Sequence, residues 1–199
     1  MNHETHKTGT SRRLTRLGTP IAIAMLGLSA TAMANSTGGY YETEAVRWPV
    51  ASGGNGHLYA VVQDTATCEI CWDEAQATAS SRGGYLATIT SAEEVGFVVT
   101  SLGPLVLSHP NPEFGWGGGT HLGGNNGEWI TGEPWEYTNW QIINGQPSGD
   151  GPHFTLGGPN ADAPDTPGMW NDIGGGDGCF PCLNFYTIEW SADCNGDGI

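Results

Sequence analysis

At 199 residues, with 21 acidic side chains against 6 basic ones and a formal net charge of −15 at pH 7, the chain is sized for one domain with a single continuous core. Its acidity excludes nucleic acid and anionic membrane surfaces as partners, because both need a basic footprint. It permits cations, and its larger effect is to keep an exported chain in solution.

Lys7, Arg12, Arg13 and Arg16 precede an apolar run from Ile21 to Ala30, and Ala32-Met33-Ala34 supplies a small-x-small cleavage pattern. The run is shorter than the roughly 20 residues of a spanning helix, so residues 1–34 read as a signal peptide and not as an anchor. The mature chain is therefore expected to be exported, without membrane insertion, and to work in the extracellular space, the periplasm or at the cell surface. Residues 35–45 are mostly small and polar and read as a disordered leader.

All five cysteines follow the signal segment. Four form two C-x-x-C pairs, Cys68/Cys71 and Cys179/Cys182, and Cys194 stands alone. Two such pairs can hold zinc tetrahedrally, but in an oxidising compartment cross-linking is the commoner outcome. Spacing does not assign the connectivity.

The first core strand is expected in His57-Leu58-Tyr59-Ala60-Val61-Val62, which is rich in β-branched and aromatic residues. His57 reads as an exposed strand-start residue. From Thr67 to Ser81 the apolar period changes to about 3.6, with Ile70, Trp72, Ala75 and Ala79 on one face. Thr67 is the expected N-cap, and Gly83-Gly84 the stop. Tyr85 to Ile89 is strand-like, and Ser91-x-x-Glu94 is a capping box opening a second helix, Ala92 to Ser101.

Further on, Trp116-Gly117-Gly118-Gly119-Thr120 reads as a glycine-rich strand that admits close backbone approach, with Glu128-Trp129-Ile130 as its hairpin partner. Trp129, Trp135 and Trp140 then open a Gly/Pro-rich stretch that ends at Met169-Trp170-Asn171-Asp172. Aromatic residues at both ends can pin such a loop, leaving what lies between as a working surface. The chain returns through Leu183 to Trp190, an alternating strand. No Ser/His/Asp or Cys/His cluster and no convergent titratable pair marks catalysis, so the chain reads as a non-enzyme.

In order and spacing, Trp72-x-x-Ala75, Gly83 to Ile89, Ser91-x-x-Glu94, the Trp116 strand and Trp170-Asn171-Asp172 resemble the C-type lectin-like domain family, here of the bacterial, exported kind. The resemblance covers residues 46–190. It implies an α+β fold with two helices packed on antiparallel strands and a long irregular loop. Most animal members carry a cysteine at the place of Ala79, paired with one where this chain has Ile188. The resemblance also sets the first and last strands antiparallel, which would make the two C-x-x-C pairs neighbours in space.

The family's calcium and sugar site uses an acidic or amide residue, a cis proline and a second such residue, together with the closing Asn-Asp. The corresponding residues here are Gln146-Pro147-Ser148 and Asn171-Asp172. Ligand binding is thus expected at Gln146, Ser148, Asn171 and Asp172, and calcium at Gln146, Asp150, Asn171 and Asp172, with His153 nearer the usual place of the intervening acid. Carbohydrate binding through the long loop is the function implied. The alternative is a calcium-independent protein-interaction or adhesion module on the same scaffold, using exposed loop aromatics. Asp162, Asp165 and Asp177 are further acidic loop positions. Residues 191–199 resemble the opening half of a dockerin or EF-hand calcium loop, cut short before its acidic twelfth position.

Overall fold

A computed structural model describes residues 39–67, 69–107, 114–123, 126–149, 151–158, 167–174, 178–179 and 183–191. The signal segment, Cys68, His109, Asp150, Asp162, Asp165, Asp177, Cys182, Cys194 and the calcium-loop-like tail lie outside the described residues.

The elements in order are β1 (Tyr40–Glu42), β2 (Val46–Arg47), β3 (Leu58–Asp64), α1 (Trp72–Ser81), β4 (Tyr85–Leu86), α2 (Ala92–Val106), β5 (Gly115–Gly123), β6 (Asn126–Trp129), β7 (His153–Leu156), β8 (Trp170–Ile173) and β9 (Phe185–Trp190). The strands form one sheet in the order β1-β3-β9-β5-β7-β8, with β2 on β3, β4 on β9 and β6 on β5. First and last core strands pair antiparallel, from Leu58↔Trp190 to Gln63↔Phe185, as the resemblance implies. The expectation of antiparallel strands holds except between β5 and β9, which run parallel at Trp116↔Tyr186.

Alternation along the central strands builds a core on each face of the sheet. Tyr59 and Val61 face one cluster with Val95, Val98, Leu102 and Val106 of α2. Val62, with Tyr186 and Ile188 of β9, faces the other, which contains Trp72, Ala75 and Ala79 of α1. Ala79 and Ile188 are both fully buried in that second cluster, so the two positions at which family members carry paired cysteines are filled here by apolar packing.

Several local expectations are corrected. Tyr40–Glu42, expected in the disordered leader, pairs with β3. Helix α1 starts at Trp72, not after Thr67: Cys71 is the N-cap and Glu74 reaches back to the Cys71 N–H. Thr67 instead turns its hydroxyl to the Glu69 carbonyl at 2.6 Å. The start of α1 is set by tertiary bonds, since Trp72 Nε1 donates to the Gly117 carbonyl at 2.8 Å and Trp116 Nε1 to the Ile70 carbonyl at 2.7 Å. Helix α2 runs on to Val106 through Pro104, because its apolar face stays in the core as far as Leu102 and Val106.

One cysteine of each C-x-x-C pair meets the other; Cys68 and Cys182 lie outside the described residues. Cys71 and Cys179 are disulfide-bonded across 108 residues of sequence, and chain entropy values a loop of that length at about 4 to 5 kcal/mol before strain. Backbone bonds from Ile70 N to the Leu183 carbonyl and from Trp72 N to the Gly178 carbonyl align the two segments beside it. A zinc site would need both sulfurs of this pair as thiolates, and here they are joined to each other. Glu69 lies close to the two sulfurs, but a disulfide is a poor metal ligand.

Candidate functional site

The long loop is closed at its neck by backbone. Trp170 N donates to the Asn139 carbonyl at 2.8 Å, Gln141 N to the Trp170 carbonyl at 2.9 Å, and Asn139 Nδ2 to the Gly168 carbonyl at 3.0 Å. Behind the neck, Trp170 sits fully buried among aromatic rings: Phe154 at 5.0 Å, Trp140 at 5.5 Å, Trp129 at 5.6 Å, and Trp135 and Tyr137 at 5.7 Å between centroids. Trp129, Trp140 and Tyr137 meet Trp170 edge to face, the geometry the ring quadrupoles favour.

The glycines of β5 and β6 make room for this cluster. A Cβ at Gly119 would collide with Phe154 and approach Trp135 to 2.9 Å, and one at Gly127 would lie 2.5 Å from the Trp135 ring. The close approach expected of that glycine run is thus realised as space for aromatic side chains.

The loop is less irregular than its composition suggests, because His153–Leu156 forms β7, paired with β5 and with β8. The signal was present, a short aromatic and β-branched run between Gly151-Pro152 and Gly157-Gly158, but it is brief and is stabilised only by its partners.

Gln146, Ser148 and Asp172 come together, and the Gln146–Pro147 peptide is cis as the resemblance implies. Asp172 is fully buried. Its Oδ1 accepts from Ser148 N at 2.7 Å and from Ser148 Oγ at 3.2 Å, and its Oδ2 accepts from Gly149 N at 2.5 Å. Gln146 Oε1 accepts from Ser148 N at 3.0 Å. Asn171 Oδ1 is buried with no hydrogen-bond partner among the described residues. Asp150 lies outside the described residues.

Calcium takes six to eight oxygen ligands, several of them charged. Among the described residues only Asp172 supplies a carboxylate here, and its oxygens already close the turn; Gln146 Oε1 is likewise engaged within the turn. Among the described residues, Asn171 Oδ1 is the buried side-chain oxygen of this group without a hydrogen-bond partner. Among the described residues this donor set is short of the charged oxygens calcium needs, and Asp150, the other expected ligand, lies outside them. The set fits a loop tip held by its own hydrogen bonds, with one buried carboxylate in the position of an anion facing backbone N–H groups.

His153 does not join that group. Its ring stacks on Trp72 at 4.1 Å and 10°, its edge faces Trp116, and burial pushes its pKa below the ordinary histidine value. It is a half-buried residue of β7 packed between two tryptophans.

Two features escaped the sequence reading. The apolar surface of the loop is aliphatic: Ile142 and Ile143 are 74% and 69% exposed on a 3-10 turn (Ile142–Asn144), whereas Trp129, Trp140 and Trp170 are buried and Trp135 and Tyr137 are packed against the core. His57 is not a bare surface residue: its Nδ1–H donates to the buried Glu189 carboxylate at 2.5 Å. Ile142-Ile143 has a visible signal, an apolar pair two residues beyond a tryptophan and one before Asn-Gly, that composition alone assigns to the interior.

No protein-family model matches the sequence, and no curated protein matches it closely enough to count as a relative. Solved structures do resemble the fold. One is the C-type carbohydrate-recognition domain of cow CD23, solved in the presence of a GlcNAc2Man3 oligosaccharide, at 22% identity over 69% of this chain and 90% of that chain with a TM-score of 0.50. Another is the C-type lectin CEL-I from Cucumaria echinata, at 18% identity over 68% of this chain and 90% of that chain, again with a TM-score of 0.50. The chain has a C-type lectin-like fold.

Proposed function

We propose that this chain is an exported ligand-binding module that recognises a glycan through its long loop, and that it does so without calcium. The observation that carries the reading is the self-closed tip: Asp172 accepts the N–H groups of Ser148 and Gly149, so both of its oxygens are engaged in holding the loop. Ser148 is exposed and Gln146 half-buried at the tip, and Ile142 and Ile143, a few residues earlier in the chain, add exposed apolar side chains to the loop. Hydroxyl-rich ligands with one less polar face suit such a surface. Both solved structures of this fold named above are lectin domains, which supports a binding role over a catalytic one.

A second reading, a protein-interaction or adhesion module, is favoured by the exposed isoleucine pair, since aliphatic side chains offer a sugar no aromatic platform. One experiment separates the two. The oxidised mature chain is applied to a glycan array in calcium and in EDTA, alongside Ser148→Ala and Ile142→Ser/Ile143→Ser variants. Glycan binding that is equal in both buffers and weakened by Ser148→Ala is the expected result. Binding seen only with calcium would overturn the metal-free mechanism. No glycan binding in either buffer would leave the interaction module as the reading to pursue.

Metal dependence has its own readout. A ligand held only by the folded state at a hundredfold excess over its dissociation constant stabilises by about 2.7 kcal/mol, so bound calcium would raise the melting temperature visibly. Equal melting temperatures in millimolar calcium and in EDTA are expected.

A further inference from the structure

On the α2 side of the sheet lies a polar cluster that the loop reading does not use. Glu94 of α2 and Glu189 of β9 are each 1% exposed, and between them stands the fully buried Tyr59 of β3. The Tyr59 hydroxyl lies 2.5 Å from Glu94 Oε1 and 3.1 Å from Glu189 Oε1, and it accepts from Asn55 Nδ2 at 2.7 Å. One phenolic proton therefore faces two carboxylates. The pattern repeats at Thr88, whose hydroxyl lies 3.1 Å from Glu189 Oε2 and 2.7 Å from Glu133 Oε2.

Glu133 is also held by Thr131 Oγ1 at 2.8 Å and sits just after β6, where the long loop begins. The remaining donors are the N–H groups of Thr88 and Thr90, the Thr90 hydroxyl, Asn55 and, at the rim, His57. Tyr85 of β4 lies 3.5 Å from His57 Nδ1. Lysine is absent beyond residue 38, and the two arginines found there are engaged elsewhere: Arg47 with the Gly56 carbonyl and Arg82 with Glu42. Among the described residues no lysine or arginine pairs with either buried carboxylate.

We propose that Glu94, Tyr59, Glu189 and His57 form a proton-operated latch between α2 and the sheet, closed while Glu94 and His57 hold protons and loosened as pH rises, with Thr88 and Glu133 carrying its state to the root of the long loop. A proton on Glu94 gives it a hydroxyl that donates to the Tyr59 oxygen and frees the phenolic proton for Glu189. A proton on His57 makes it the ion-pair partner of Glu189. With both lost, the buried Glu94 and Glu189 carboxylates share the single Tyr59 hydroxyl proton where little water reaches, which is costly, while Glu133 on the other side of Thr88 is exposed.

The direction of titration agrees with the geometry. Burial raises the Glu94 pKa, and the hydrogen bond to Glu189 raises that of His57. Each group binds its proton more tightly folded than unfolded. Its stabilisation is present below the unfolded pKa and is lost as pH rises through the folded one. For Glu94 the loss begins above the ordinary carboxylate range, and for His57 above about 6.5. His153, lowered by burial, tilts the opposite way. A variant, and not the wild-type slope alone, therefore decides the matter.

The test compares wild type, Glu94→Gln and His57→Gln by thermal melting between about pH 5.5 and pH 9, with infrared spectra of the carboxyl region. Wild type is expected to melt lower at the alkaline end, by roughly 3 to 5 °C for each unit of pKa shift in a domain of this size. Glu94→Gln should flatten the slope and remove a protonated-carboxyl C=O band that in wild type persists above the ordinary carboxylate range. His57→Gln should melt lower than wild type at the acid end and match it at the alkaline end. A wild-type spectrum in which no such band persists above the ordinary carboxylate range would overturn the proposal even if a variant failed to fold. So would a Glu94→Gln slope equal to that of wild type.

Discussion

The inside and the outside of the long loop are made differently. Inside, Trp170 is enclosed by five aromatic rings, and the neck is closed by backbone hydrogen bonds. Outside, the tip is a short turn carrying Ile142 and Ile143 into solvent, fastened by one buried carboxylate. The inner half works through buried aromatic area, which resists substitution. The outer half rests on a few directional bonds around an exposed surface, so its side chains can be exchanged for others without disturbing the fold. A scaffold built this way can change its ligand by changing its tip.

Truncating Trp170 to alanine is the strongest test of that division. A fully buried indole at the centre of the cluster should cost about 3 to 5 kcal/mol, seen in urea unfolding as a lower midpoint with an unchanged slope. A loss below about 1 kcal/mol would mean that the rings do not hold the loop. Next comes Asp172→Ala, which strands the Ser148 and Gly149 N–H groups and should cost about 2 to 3 kcal/mol. Asp172→Asn should recover little of it, because the amide turns an N–H toward one of the two backbone donors. Full recovery by asparagine would show that charge is unimportant there and would reopen the tip to other ligands. The smallest effect on stability is expected from Ile142→Ser/Ile143→Ser, within about 0.5 kcal/mol, since both side chains are solvent-exposed. The same variant should lose most of its ligand or partner affinity in a binding titration. A large fall in stability would instead place the pair in a packed interface.

Much of the scaffold was legible because its signals are local and repeated. The alternation of the first and last core strands, the helical period read from Thr67 to Ser81 and the Ser91 cap each depend on a few neighbouring residues, and Ser91 Oγ indeed accepts from Glu94 N at 3.1 Å. The other half of that capping box shows where local reading stops. Glu94 turns its carboxylate not to the Ser91 N–H but to Thr90 and Tyr59, because β3 brings a phenol within reach. The same holds for His57, whose partner is 132 residues away, and for Thr67, displaced as a cap once Trp72 and Trp116 lock the following turn onto β5.

The candidate site divides in the same manner. Gln146, Ser148 and Asp172 could be named from their order along the chain, but not which oxygens were free, since that depends on how the turn folds over the closing strand. Sequence by itself supplied the periods of the core strands and helices, which are properties of short stretches, and its resemblance to the C-type lectin-like family implied the fold class, the nearness of the two C-x-x-C segments and the residues at the loop tip. Only the tertiary structure decided that Asp172 is spent on backbone N–H groups, that the loop tryptophans face inward and the isoleucines outward, and that two glutamates share one tyrosine. Those outcomes depend on which distant segments the sheet brings together and on how little water is left between them.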